Sequence, residues 1–331
     1  MKVVLFSDLH LNYKESNPIF LKVALDFLDY LKVYCQENGI TEVFFLGDVF
    51  EKSIRIRYDH FVPLFEKLRS LKKSGIKLTM ILGNHDLYSN SNDSIVETFS
   101  EITYCVVKDT LDYRYGNRDF HFLSYTRDVK KIPEKGDILI THLPIADFEF
   151  DNEYNANEAV AFKRELFEGY NAVFSGHFHK RQNISNIWYV GSTFQINLSE
   201  QGQQKGFLVL DTNDIMRPEF VPYRNAPEFI KIKVEDFNSV NVKNKFVYVE
   251  IENKIDNFIK LKMILADRGA LSVTPIFKPP KEDFEIGDVK IDRHLSSISD
   301  ISVEYLKNVK IEGIDNNKLV ALFHKVAERV K

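Results

Sequence analysis

The sequence has 331 residues and carries 44 lysines and arginines against 48 aspartates and glutamates, a formal net charge of −4. This length is enough for about two domains with a full hydrophobic core, while the near balance of charge excludes a polybasic nucleic-acid binder. The two cysteines, Cys35 and Cys105, exclude a disulfide scaffold and a cysteine-rich metal module, and no apolar run reaches the roughly 18 residues of a membrane span.

The first two-thirds of the chain alternate short apolar strands with amphipathic helices. The predicted helices cover Phe20–Tyr34 and Phe61–Leu71, and the predicted strands are Val3–Phe6, Val43–Leu46, Leu78–Leu82, Ile138–Ile140, Ala172–Phe174 and Trp188–Val190. A hairpin is expected between Thr110 and Tyr125. This alternation predicts an α/β layered domain with helices covering the sheet. The first strand reaches Asp8 too early for the core of a signal peptide, so we expect a cytoplasmic protein with reduced, buried cysteines.

The pattern changes where prolines 218, 222 and 227 interrupt it. We therefore predict a first domain over residues 1–224, a small α/β capping domain over 225–281, and a linker with partner-binding helices over 282–331. The capping domain is predicted to contain strands Phe229–Val234, Phe246–Ile251 and Leu271–Phe277 and the helix Ile255–Leu265. The acidic stretch Glu282–Asp288 is interpreted as the linker. Two short helices follow around Gly313, and the second has an apolar stripe from Leu319 to Val330.

Polar side chains with ligand chemistry follow five of the predicted strands. They are Asp8 and His10, Asp48, Asn84 with His85 and Asp86, His142, and His177 with His179. Because ligands bind at the carboxyl ends of the strands in open α/β sheets, five separate segments deliver these groups to one edge. Three further histidines, His60, His121 and His324, are interpreted as packing residues.

The mixture of ligand types is informative about the metal. Carboxylate and amide oxygens combined with imidazoles suit Mn(II), Fe(II) or Zn(II) better than Ca(II), and the absence of thiolates argues against a structural zinc site. Seven candidate ligands are enough for two metals that share one carboxylate. Two such ions about 3.5–4 Å apart can clamp a phosphate and activate water.

These motifs, in this order, resemble the motif set of the calcineurin-like metallophosphoesterases. The segments Ser7–Leu11 and Gly47–Phe50, then Tyr189–Ser192, Glu200 and Lys205–Phe207, resemble more narrowly the SbcD nuclease branch, which includes the meiotic recombination 11 nuclease and similar phage exonucleases. The resemblance covers roughly residues 1–235. It implies a metallophosphoesterase sandwich of two sheets flanked by helices, with a small α/β cap and a C-terminal helical tail.

The resemblance also implies a role for each site residue. The first metal, expected to be Mn(II) with Mg, Fe or Zn as alternatives, would be held by Asp8, His10, Asp48 and His179. The second would be held by Asp48, Asn84, His142 and His177, with Asp48 bridging. His85 would orient the scissile phosphate or protonate the leaving oxygen, and Asp86 would fix the His85 ring.

Two positions depart from the branch, because Asn12 replaces a usual glycine and Glu51 replaces a usual aspartate or histidine. Neither change removes a ligand. Lys180 and Arg181 directly follow the last metal motif, so we expect this basic pair to bind the substrate phosphate. DNA is the implied substrate, a coiled-coil ATPase of the SbcC type is the implied partner of the C-terminal helices, and homodimerisation is a family expectation.

Two alternatives stay open at this stage. A generic metallophosphoesterase acting on small phosphoesters explains the ligands equally well and the negative charge better, but not the cap and tail. A non-catalytic scaffold of the same fold would be expected to lose ligands or the active-site histidine, and this chain keeps all eight positions.

Overall fold

The computed structural model describes most of the chain. The described residues are 1–13, 18–52, 55–88, 93–149, 161–251, 258–277, 284–286, 289–291, 298–309 and 315–330. The helices are α1 (Pro18–Glu37), α2 (Tyr58–Lys73), α3 (Phe258–Asp267), α4 (Ile298–Asn308) and α5 (Asn316–Val330). The strands are β1 (Lys2–Phe6), β2 (Glu42–Phe45), β3 (Lys77–Ile81), β4 (Cys105–Val107), β5 (Thr110–Tyr115), β6 (Arg118–Leu123), β7 (Gly136–Thr141), β8 (Tyr170–Ser175), β9 (Gln182–Ile184), β10 (Ile187–Tyr189), β11 (Gly206–Asp211), β12 (Asp214–Pro222), β13 (Glu228–Lys233), β14 (Lys245–Ile251), β15 (Ser272–Phe277), β16 (Phe284–Ile286) and β17 (Val289–Ile291).

Two six-stranded sheets form the first part of the molecule. Their strand orders are β12-β11-β1-β2-β3-β4 and β5-β6-β7-β8-β10-β9. In the first sheet β1 to β4 run parallel, and in the second β6, β7, β8 and β10 run parallel. Each parallel set places its carboxyl ends at one edge of its sheet, which is where the predicted site residues begin.

Alternating side chains of the two sheets build the core between them. Val3 and Leu5 of β1 belong to the same buried cluster as Phe120 of β6 and Phe174 of β8. The opposite face of β1 packs on α1, where the rings of Phe6 and Phe27 lie 5.5 Å apart. The prediction of two sheets flanked by helices is therefore confirmed.

The chain divides into two compact units. The first consists of Met1–Ile230 and Asn244–Phe246, and the second of Lys231–Lys243 and Val247–Lys331. The second unit holds most of the three-stranded sheet β13-β14-β15, the helix α3, and the helices α4 and α5, which pack against each other. The predicted domain boundaries at 224 and 281 stay predictions.

Three local features differ from the sequence-based expectations or add to them. Part of the acidic stretch that was interpreted as a linker forms β16, which pairs with β17 in an antiparallel hairpin. Cys35 is fully buried as expected, but Cys105 on β4 is only half-buried, and both are free thiols. Among the described helices, none combines the length and apolar character that crossing a membrane requires.

Candidate metal centre

The backbone is strained where the site residues leave their strands. Asp8, His10, Asp48 and His177 adopt positive φ angles of 56°, 44°, 56° and 89°. Such left-handed conformations are costly for residues other than glycine, and they cluster at functional sites where the surrounding structure enforces them. Here the loop after β1 is tied to the loop after β2, since Asp8 N–H donates to the Gly47 carbonyl (3.1 Å) and His10 N–H to the Asp48 carbonyl (3.1 Å).

A first group of ligand atoms comes from Asp8, His10 and His179, whose donor atoms lie within 4.8 Å of one another. The Nε2 atoms of His10 and His179 are 2.9 Å apart, and His10 Nε2 is 3.7 Å from Asp8 Oδ1. Asp8 and His10 are buried, while His179 is half-buried. The group therefore has one carboxylate and two imidazoles converging on one point.

A second group comes from Asp48, His142 and His177, again within 4.8 Å of one another. His142 Nε2 is 3.2 Å from Asp48 Oδ2. The predicted amide ligand joins this group, because Asn84 Oδ1 lies 2.7 Å from Nδ1 of His177.

Asp48 lies between the two groups. Its Oδ2 atom is 3.6 Å from His10 Nε2 of the first group and 3.2 Å from His142 Nε2 of the second. Its Oδ1 atom accepts a hydrogen bond from the His85 backbone N–H at 3.0 Å, which fixes the carboxylate between them. The structure thus brings all seven predicted ligands together and puts the expected bridging residue in the middle.

The donor set fits a pair of borderline divalent cations. Asp8 Oδ2 is buried and has no hydrogen-bond partner among the described residues, which is costly for a polar atom unless another group satisfies it. Burial lowers the pKa of His177 to about 3, so this imidazole is neutral and its lone pair is available. Burial alone would raise the pKa of Asp8, but contact with His10 and the nearby histidines bring it down to about 2.

Close approach of the strand-end loops requires glycine at two positions. A Cβ atom on Gly83 would lie 2.1 Å from Asp48 Oδ1, and one on Gly176 would lie 2.1 Å from Ser7 Oγ and 2.7 Å from His142 Nδ1. Any larger residue would push against the ligands themselves. These glycines, which the sequence motifs place beside the site residues, are therefore part of the site.

The structure changes the interpretation of Asp86. The Asp86 carboxylate is fully buried and accepts hydrogen bonds from the backbone N–H groups of Asp48 (2.8 Å), Val49 (2.9 Å), Phe50 (3.2 Å) and Gly83 (2.9 Å). The resemblance implied that Asp86 orients the His85 ring. Its carboxylate instead holds the loop after β2. Burial and the charge of Asp48 raise the pKa of Asp86 to about 7, against the effect of these N–H donors.

Glu51 performs the orienting role that was expected of Asp86. Its backbone carbonyl lies 2.6 Å from Nδ1 of His85, and its carboxylate Oε2 lies 2.8 Å from Nδ1 of His10. A carbonyl oxygen only accepts, so Nδ1 of His85 carries a hydrogen and Nε2 is left for chemistry. In the sequence this residue was visible only as a departure from the expected motif.

The predicted basic pair is engaged with other groups. Lys180 forms an ion pair with Glu149, and the Arg181 guanidinium lies 4.0 Å from the centre of the Phe220 ring. Burial lowers the pKa of Arg181. Their contact with substrate phosphate stays a prediction.

Glu200 and Lys205 lie next to the site although neither was assigned a role there. Glu200 Oε1 accepts a hydrogen bond from Nδ1 of His179 at 2.8 Å, and Lys205 Nζ donates to the His179 carbonyl at 2.7 Å. Burial would raise the pKa of Glu200, but Lys205 and His179 lower it to about 2. The only sequence signal was their place in the motif segment after Gly191.

Comparisons with known proteins show which proteins this chain is similar to. The chain is 23% identical to exonuclease subunit 1 of Enterobacteria phage T4 over 343 residues, which covers 95% of this chain and 99% of that protein. It is 24% identical to the DNA double-strand break repair protein Mre11 of Nanoarchaeum equitans over 272 residues, 70% of this chain and 73% of that protein. Among solved structures, a dimetal phosphatase from Danio rerio aligns with 11% identity over 63% of this chain and 91% of that chain, with a TM-score of 0.41.

A model of the calcineurin-like phosphoesterase family matches residues 1–181. The matched range is more than half of the chain and includes every predicted metal ligand. The resemblance that the sequence motifs indicated is thereby confirmed, and the chain belongs to the calcineurin-like phosphoesterases, metal-dependent hydrolases of phosphate esters.

Proposed function

We propose that this protein is a DNA nuclease subunit that hydrolyses phosphodiester bonds with two metal ions, as an exonuclease and endonuclease. The observation that carries this proposal is the arrangement of two ligand groups joined by Asp48, with His85 beside them: the His10 and His85 ring centres are 5.0 Å apart. The likeness to a phage exonuclease subunit over nearly the full length of both chains supports DNA as the substrate.

The residues divide into two sets for two divalent cations, for which we propose Mn(II). Asp8, His10, Asp48 and His179 would hold one, and Asp48, Asn84, His142 and His177 the other. When bound, the ions would supply Lewis-acid activation of the phosphodiester and of the attacking water. The strained loops keep the side chains in place before the cations bind, so little rearrangement is needed.

His85 is proposed to act on the leaving group. Its Nδ1–H is held by the Glu51 carbonyl, so Nε2 can hold a proton for the departing oxygen or position the scissile phosphate. Its ring is half-buried and in contact with the ring of His10, one of the proposed ligands, and no described residue forms a hydrogen bond with its Nε2 atom.

The test compares three forms of the purified protein with Mn(II) and linear duplex DNA. The wild type is expected to degrade DNA, and His85→Ala is expected to lose at least about 100-fold in rate while still binding the metal. His121→Ala, on the β5–β6 hairpin, is the matched control and should cut DNA like the wild type. Undiminished cleavage by His85→Ala would contradict the proposed role.

A second candidate, a phosphoesterase for small substrates, is favoured by the negative net charge and by the engagement of Lys180 with Glu149. Turnover of a small bis-nitrophenyl diester separates the two functions. Rapid hydrolysis of the diester without cleavage of DNA would support this second candidate and overturn the first.

We infer that the protein works in the cytoplasm of a bacterium or of a phage-infected cell, in DNA repair, recombination or replication. A coiled-coil ATPase of the SbcC type would bind α4 and α5, and two copies of the chain would pair. A pull-down with the full chain and with a chain lacking residues 299–331 tests the ATPase contact, which the shorter chain should lose.

A further inference from the structure

A buried ion pair lies directly behind one of the metal ligands. Glu200 accepts the Nδ1–H of His179 with Oε1, and its Oε2 accepts the backbone N–H of Ile196 at 3.1 Å. Lys205 Nζ is 3.1 Å from Glu200 Oε2 and donates to the His179 carbonyl at 2.7 Å. The side chains of Glu200 and Lys205 are only 3% and 4% exposed.

Stability alone is a poor reason for such a pair. Removing two charges from water costs about as much as their attraction returns, and apolar replacements of buried pairs are often neutral or stabilising. Each member of the pair instead makes one contact with His179, since Glu200 bonds its ring and Lys205 bonds its carbonyl. The pair therefore fixes both the side chain and the backbone of one ligand.

Two residues that precede this pair in the chain, Gly191 and Ser192, also lie against His179. Ser192 N–H donates to the His179 carbonyl at 3.1 Å. A Cβ atom on Gly191 would lie 2.9 Å from that carbonyl oxygen and 2.8 Å from the Arg181 nitrogen, so this approach requires glycine. Residues 191–205, which we call the brace, thus hold His179 by three hydrogen bonds.

The acceptor on Nδ1 decides which nitrogen of an imidazole can bind a cation. Glu200 takes the hydrogen of Nδ1, which leaves the lone pair on Nε2 of His179, 2.9 Å from His10 Nε2. His142 in the second ligand group is held differently, because its Nδ1 faces the neutral carbonyl of Leu46 at 2.5 Å. An imidazole whose N–H is bonded to a carboxylate donates its lone pair to a metal more strongly than one whose N–H is bonded to a carbonyl.

We propose that Glu200, held in place by Lys205, is a positioning residue that fixes His179 as an Nε2 ligand and strengthens the metal position to which His179 belongs. The proposal rests on the proposed function only in taking His179 as a ligand. It assigns to the brace a role in metal affinity, separate from the chemistry at His85.

Glu200→Gln tests the charge of the acceptor while keeping its shape. In a Mn(II) titration followed by electron paramagnetic resonance, one of the two binding steps should weaken by roughly 10–100-fold and the other should not change. Glu42→Gln is the matched control, since Glu42 is another buried glutamate, 3.3 Å from Lys77, on β2 and away from the ligands. Its Mn(II) binding should equal that of the wild type.

A second variant covers the case in which Glu200→Gln does not fold. The double variant Glu200→Leu with Lys205→Met removes both charges and keeps the interior apolar, so it should unfold at a midpoint close to that of the wild type. In its metal-free form, imidazole ¹⁵N spectra should show His179 losing its fixed Nδ1–H form. Unchanged Mn(II) affinity in either folded variant, or an unchanged His179 spectrum in the double variant, would overturn the positioning role.

The two proposals fail in different ways. A wild-type protein that binds Mn(II) in two steps but leaves DNA uncut would overturn the nuclease and leave the positioning role intact. Wild-type Mn(II) affinity in Glu200→Gln, together with normal DNA cleavage by the wild type, would overturn the positioning role and leave the nuclease intact.

Discussion

At the scale of single residues, carboxylates do two kinds of work in this site. Asp8 and Asp48 face the imidazoles, whereas Asp86 uses both of its oxygens on backbone N–H groups. The left-handed turn at Asp48 leaves those N–H groups without partners in a sheet, and Asp86 supplies the partners. The strained loop therefore depends on the buried Asp86 carboxylate, which in turn is satisfied by the N–H groups of the loop.

Replacing this acceptor should destabilise the fold even though the change is small. In Asp86→Asn one oxygen becomes an NH₂ group that cannot accept a hydrogen bond, so at least one buried backbone N–H loses its partner. We expect the free energy of unfolding to fall by about 1–3 kcal/mol, measured by urea denaturation. The control is Asp59→Asn, at an exposed carboxylate paired with Arg57, and equal effects in the two variants would contradict this account.

At the scale of elements, the sequence predicts which strand ends carry the candidate ligands. It does not predict which side chains hold those ligands in position. The apolar runs of β1, β2, β3, β7 and β8 stop where a ligand-type residue begins, and parallel strands necessarily bring such ends to one edge. Glu51 and Glu200 escaped prediction because their roles depend on contacts with distant segments. The ion pair of Lys180 with Glu149, 31 residues away in sequence, was not predictable for the same reason, and the contact of Lys180 with substrate stays a prediction.

Helix α1 packs through Phe20 on aromatic rings of β13 and β14, and this contact gives a prediction for stability. Phe20, 5% exposed on α1, stacks on Phe246 with ring centres 5.2 Å apart and planes at 1°, and on Phe229 at 6.3 Å. Phe20→Ala should lower the free energy of unfolding by about 3–5 kcal/mol, because it leaves a cavity between the rings. Val33→Ala on the exposed side of α1 should change it by no more than about 0.5 kcal/mol, and calorimetry of both variants compares them.

At the scale of the whole molecule, the net charge of −4 has a different meaning once the site is known. Two divalent cations would add about four positive charges at the edge where Asp8 and Asp48 are proposed to hold them. Affinity for a polyanion is then expected to be weak without metal and stronger with it.

Metal binding should also stabilise the protein as a whole. The proposed ligands come from both sheets, so unfolding of either sheet would separate them and release the cation. Free Mn(II) at about 100 times its dissociation constant should add about 2.7 kcal/mol per site to the free energy of unfolding, seen as a rise of the thermal midpoint that a chelator reverses. Asp48→Asn should show a much smaller rise, and a rise equal to that of the wild type would exclude Asp48 as a shared ligand.

The separation of the site residues along the chain has a consequence for biosynthesis. The backbone N–H of His177 bonds to Asp8, 169 residues earlier, and the brace that holds His179 ends only at Lys205. At roughly 5–20 residues per second, a ribosome needs about 10–40 s to reach that lysine, and until then β1 has only β2 of its two neighbouring strands, because β11 begins at Gly206. Early in its synthesis, the nascent chain therefore has neither two complete sheets nor a complete set of side chains that could bind a cation. The hydrolytic centre is among the last parts of the first unit to assemble.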